Sequence, residues 1–265
     1  MRAHPQFELL LALTTVWLVL VAHARAAPPL AILGVELERP PPPLAPEPLA
    51  PLAPLGLAPS LPAPSVTPVV AATARAVDPA PQRILMLGDS MVERLMGRFA
   101  DYCEANGHRL TPAIWYASTT TGWSRDEKLG QLLRETDPSF VIVVLGSSEL
   151  TMRGVQRIEG PVRRIVERIG PRKLIWVGPP NWREDSGINA LLRRLLGDGH
   201  FFRSADLSFE RAADGIHPSW DSAADWMDAI ARWIREVSDV PIRLEPPSTP
   251  PSPRRPKARV FAPPR

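Results

Sequence analysis

The 265-residue chain has one cysteine, Cys103, so no disulfide can form within it and stability must come from packing. It has five histidines, which leaves few candidates for an imidazole base. No HExxH, paired CxxC, GxGxxG or P-loop pattern occurs, so neither a metal nor a nucleotide is inferred, and no cofactor is expected. After an apolar run near the N-terminus there is no second long apolar segment.

Proline is plentiful instead. The 33 prolines concentrate in residues 28–81 and 241–264, which leaves 82–240 as the stretch able to fold around one substantial core. Arg2 and His4, then the apolar run from Leu9 to Ala22, then Ala24-Arg25-Ala26, have the form of a secretory signal over 1–26. The expectation is an exported protein, periplasmic or secreted, with an uncleaved membrane anchor as the alternative. Residues 27–81 cannot sustain a helix or central strand and read as an extended, disordered spacer. Residues 241–265 read as a disordered tail carrying Arg254, Arg255, Lys257, Arg259 and Arg265. With a net charge of +3 and a pI near 9.5, that tail suits weak attraction to an acidic polymer or anionic lipid, or no partner at all, and not nucleic-acid reading.

From Arg83 the chain alternates short apolar runs with helical patterns. The runs are RILML, LTPAIWYA, FVIVVLG, KLIWVG and a weak HFFRSA. Helices are expected near 91–105, 126–134, 160–168, 188–196 and 222–236. FVIVVL and KLIWVG are apolar on both faces, as parallel strands between two helix layers should be, which gives a three-layer α/β/α fold with a mainly parallel sheet. In such a sheet ligands bind beyond the carboxyl ends of the strands. The residues there are polar: Gly88-Asp89-Ser90, Ser118 to Gly122, Gly146-Ser147-Ser148-Glu149, Gly178 to Asn181, and Asp214-Gly215-Ile216-His217-Pro218.

Ser90 reads equally as a nucleophile and as a helix cap, and a serine hydroxyl needs an imidazole and an orienting carboxylate to act. His4 and His23 fall in the signal, and His108 and His200 sit at element starts and read as surface residues. His217 remains, on a loop held extended by Pro218, with Asp214 three residues before it. Cys103 falls in the apolar pattern of the helix after Ser90 and reads as core. Trp115, Trp123, Trp182 and Trp220 lie in or near the edge loops, where a ring can stack on a sugar or line an acyl pocket. Trp226 and Trp233 recur at helical spacing and read as core.

GDS after the first strand and DGIHP before the last helix resemble the first and last blocks of the SGNH (GDSL-like) hydrolase superfamily, and the resemblance spans about 83–236. It implies the flavodoxin-like fold of that family, with Ser90 as nucleophile and Asp214 and His217 completing the triad. It implies an oxyanion hole of the Ser90 N–H, the Gly122 N–H and a third-block donor. The third block departs from the family pattern, because Ser148 stands where Gly-x-Asn-Asp has its Asn; Asn181 is a candidate substitute. The activity implied is that of an exported serine esterase or deacylase acting on an O-acyl ester, in the first instance an O-acetyl group, of an envelope polysaccharide or peptidoglycan. An O-acyltransferase using the same triad and a non-catalytic envelope binding module are the alternatives.

Overall fold

The computed structural model describes residues 76–253 and 255–263 and, by backbone alone, two short strands, β1 (Ala31–Ile32) and β2 (Val35–Glu36), paired antiparallel. The chain divides into two units, Met1–Val66 and Thr67–Arg265, and β1 and β2 are what is described of the first. The expected signal over 1–26 and most of the spacer lie outside the described residues. Among those described, no helix is long and apolar enough to cross a membrane.

The second unit is built on β3 (Arg83–Gly88), β4 (Arg109–Trp115), β5 (Phe140–Val144), β6 (Lys173–Val177), β7 (Phe201–Phe202) and β8 (Arg259–Phe261). They form one sheet in the order β7-β6-β5-β3-β4-β8, every neighbouring pair parallel. Alternation along β3 explains the layers. Ile84 and Met86 face a core shared with α1 (Met91–Asn106) and α6 (Trp220–Glu236), which contributes Leu95, Phe99, Trp226 and Ile230. Leu85 and Leu87 face the opposite core, filled by α3 (Lys128–Thr136), α4 (Glu159–Ile169) and α5 (Ile188–Leu196) through Leu132, Ile165 and Leu192. Strands buried on both faces must be apolar throughout, as FVIVV in β5 is. Without β8, the order is the flavodoxin-like one, whose switch point lies beside the end of β3.

A close approach fixes that end. A Cβ on Gly88 would meet the Val144 carbonyl oxygen at 1.9 Å, so only glycine lets β3 and β5 lie this close where the chain turns into α1. Cys103 is buried in α1 as expected, and burial pushes its thiol well above the usual range.

The structure corrects three expectations. A short helix, α2 (Thr120–Arg125), occupies what reads in sequence as a polar loop. His108 is buried, its Nδ1 accepting the Gln82 N–H at 3.1 Å and its Nε2 lying 2.6 Å from the Arg243 carbonyl oxygen. The C-terminal segment is not a free tail. Ile242 and Leu244 are fully buried, Thr249 offers its carbonyl to Arg98, the Ser252 N–H donates to Asp101, and residues 259–261 add β8 to the sheet edge. Proline denies this segment internal backbone bonds, but side chains of the domain take up the Arg243, Glu245 and Thr249 carbonyls and the Glu245 and Ser252 N–H groups.

Candidate active site

Ser90 ends the turn after β3 and stands at the N-terminus of α1. Its side chain makes no capping bond. Instead its Oγ–H donates to His217 Nε2 at 2.7 Å, and His217 Nδ1–H donates to Asp214 Oδ2 at 2.7 Å. An ionised Asp214 accepts only, so it places the ring proton on Nδ1 and leaves Nε2 free to take the serine proton. The structure thus brings Ser90, His217 and Asp214 together from positions up to 127 residues apart.

The turn holding the last two explains its own sequence. Asp214 Oδ1 accepts the backbone N–H groups of Ile216 and His217, at 2.8 and 2.9 Å, closing an Asx-type turn. Gly215 takes a φ of 69°, a conformation that suits glycine. The His217 ring and the two N–H groups hold the Asp214 carboxyl far below the usual carboxylate range. Ala212 N–H donates to the His217 carbonyl and Ser219 N–H to that of Glu210, so the two arms of the turn pair. Arg211 spans outward from it: Nη1 donates to the Ile216 carbonyl at 2.9 Å, and Nη2 to those of Pro180 and Asn181 at 3.0 and 2.8 Å.

The proposed oxyanion donors fare differently. Gly122 lies inside α2, and its N–H donates at 3.1 Å to the Thr119 hydroxyl that caps this helix. It faces the Trp115 ring and a shallow pocket with Arg125 and Lys128, so the expected role of Gly122 as a free donor is corrected. The Ser148 hydroxyl donates to the Ser118 carbonyl at 2.9 Å and so is committed to a loop contact. Asn181 Oδ1 accepts from Asn189 Nδ2 at 3.1 Å. The Ser90 N–H, at the positive end of α1, has no acceptor among the described residues.

Two acids, Asp89 next to Ser90 in the chain and Glu149 near enough for its charge to act on Asp89, are buried. Asp89 Oδ1 accepts the Met91 N–H at 2.9 Å and Glu149 Oε1 the Thr120 N–H at 2.6 Å; the second oxygen of each has no partner among the described residues. Burial pushes Asp89 up to about 7, against the Met91 hydrogen bond and with a further push from the Glu149 charge. Burial raises Glu149 as well. Sequence reading passed over Asp89 and Arg211. A carboxylate between an apolar strand and an apolar helix was the available signal for the first, and nothing marks the second.

Of the four edge tryptophans, Trp115 and Trp123 are core residues, stacked edge to face at 5.5 Å. Trp220 is exposed at the start of α6, with the Arg94 and Arg255 guanidinium carbons 4.1 and 3.9 Å from its ring centre. These three line a cavity of about 360 Å³ beside the first turns of α1 and α6. No group of three or more metal-ligating side chains occurs among the described residues.

No family model matches the chain, and no curated protein does. Among solved structures it is similar to TesA, at 18% identity and a TM-score of 0.48, over 57% of this chain and 97% of that one. It is also similar to the psychrotrophic esterase EstA from Pseudoalteromonas sp. inhibited by monoethylphosphonate, at 20% identity and a TM-score of 0.42, over 57% and 97%. A serine-to-alanine mutant of the esterase AlinE4 aligns at 16% identity and a TM-score of 0.37, over 58% and 96%.

Proposed function

We propose that the protein is a serine esterase of the SGNH type that removes an O-acyl group, in the first instance O-acetyl, from a polysaccharide or peptidoglycan of the cell envelope. The observation that carries this reading is the unbroken hydrogen-bonded chain from Ser90 Oγ through His217 to Asp214, with both links at 2.7 Å. Ser90 Oγ attacks the acyl carbon while its proton passes to His217 Nε2. The negative charge gathers on the acyl oxygen, where the Ser90 N–H and the dipole of α1 stabilise it. Collapse returns the His217 proton to the departing sugar oxygen and leaves the acyl group on Ser90. Water, deprotonated by His217, then releases the acid.

The envelope location rests on the signal-like segment 1–26, and the polysaccharide on that location together with the family resemblance. Weak binding to an acidic polymer or anionic lipid through the basic C-terminal residues belongs to the same reading. Lys257 is exposed for such contact, whereas Arg255 pairs with Glu93 and Arg259 with Glu135.

Labelling with a fluorophosphonate, which traps an activated serine, tests the reading. We expect one adduct, mapped to Ser90 and absent from Ser90→Ala. Wild-type protein that stays unlabelled at neutral pH would overturn the esterase in favour of a binding module. Acetyl transfer to an oligosaccharide in preference to water would make it an O-acyltransferase.

A further inference from the structure

We propose that Arg211 is a positioning residue for the Asp214–His217 pair, a role that rests on the esterase reading above. The turn packs on the domain through Ile216 and the buried Pro218, but the Asp214 side chain is 44% exposed against 21% for His217, so hydrogen bonds must fix the aim of the carboxylate. Most of those bonds are internal to the turn: Asp214 to Ile216 and His217, and Ala212 to His217. Those bonds shape the turn, and its far end is tied to α6 through the Ser219 cap and the Ser222 hydroxyl that accepts the Glu210 N–H.

Arg211 supplies a tie in another direction, to the loop after β6. Its guanidinium holds the Ile216 carbonyl, one residue before His217, and the Pro180 and Asn181 carbonyls in the loop after β6. That loop is itself anchored, because Asn181 Oδ1 accepts from Asn189 Nδ2 in the first turn of α5. One side chain thus bridges the loop after β6 and the triad turn. Three carbonyls arranged around two nitrogens of one plane suit the rigid fork of arginine and not the single ammonium of lysine. Asp214 lies close enough to favour the guanidinium charge, which burial opposes.

The test measures p-nitrophenyl acetate hydrolysis by the full chain and its Arg211→Ala and Arg211→Lys variants. It also follows the downfield proton resonance of the His217 Nδ1–H, assigned by its loss in His217→Gln. We expect Arg211→Ala to lower kcat about a hundredfold with KM unchanged, the cost typical of a displacement near 1 Å. The resonance should broaden or vanish, Arg211→Lys should fall between, and millimolar guanidinium ion should restore part of the alanine variant's rate. A lysine variant equal to wild type in both rate and resonance would overturn the role, as would an alanine variant that keeps the resonance. If the wild type hydrolyses no ester, the esterase reading fails, while the resonance still decides whether Arg211 positions the ring.

Discussion

Replacing Asp89 with asparagine should make the protein more stable at pH 8 and change it much less at pH 4. Asp89 is buried beside the buried Glu149, with one oxygen on the Met91 N–H and the other without a partner among the described residues. Burial raises its carboxyl from 3.8 to about 7. Between about pH 4 and about pH 7 the folded protein therefore keeps a proton that the unfolded chain releases. The native state binds more protons there, so this group's contribution to stability falls as pH rises through that window and stays low above it. At about 1.4 kcal/mol per pH unit, the full rise corresponds to about 4 kcal/mol, a large fraction of a typical domain's stability of about 5–15 kcal/mol. Asparagine has nearly the same shape, can still accept the Met91 N–H, and never ionises. Urea denaturation followed by tryptophan fluorescence, for both proteins from pH 4 to pH 8, gives the difference directly. We expect the gap to open in favour of Asp89→Asn as pH rises, with a residual slope in the mutant owing to Glu149. Parallel pH profiles would refute the reasoning, since they would mean Asp89 is ionised or solvated in the native state.

Ser90→Ala and His217→Ala should each lower kcat/KM on p-nitrophenyl acetate by at least about a thousandfold with native circular dichroism; more than a tenth of wild-type activity in folded Ser90→Ala would reject that nucleophile. Ser148→Ala should change kcat less than about threefold, because its hydroxyl is committed to the Ser118 carbonyl; a loss of about 10²–10³ would place that hydroxyl in the oxyanion hole. A chain ending at Val240 loses Ile242 and Leu244 from the core, each worth about 2 kcal/mol, and should melt well below the full chain. An unchanged melting temperature would show that the segment does not contribute.

The strands were legible because burial on both faces leaves no room for polar residues, and FVIVV and KLIWV have none but the leading lysine. The Asp214–His217 contact was legible because both residues sit in one short turn, where spacing alone implies reach. Gly122 was misplaced for the converse reason. Its role depended on where the loop after β4 becomes a helix, and the Thr119 side chain caps a helix that begins at Thr120, six residues before the one expected near 126. His108 looked like surface because its partners, Gln82 and Arg243, are 26 and 135 residues away. Proline content at the C-terminus correctly indicates a lack of regular backbone pairing. It is silent on whether such a segment packs, which here depends on Arg98, Asp101 and Asn106 of α1.

The place of β8 has a consequence for how the molecule is made. β4 is the outer strand until residues 259–261 pair with 113–115, so this edge is covered only after every other described strand and helix of the unit has been made. A nascent chain that has finished α6 still presents an open strand edge, flanked by Trp115, that any other extended chain can occupy. Closing a loop this long is slow relative to helix formation. Yield in an expression host should therefore respond more to stalling or clipping between residues 237 and 258 than to changes of equal size in the loops between helices, and the loss should show as aggregated, not degraded, protein.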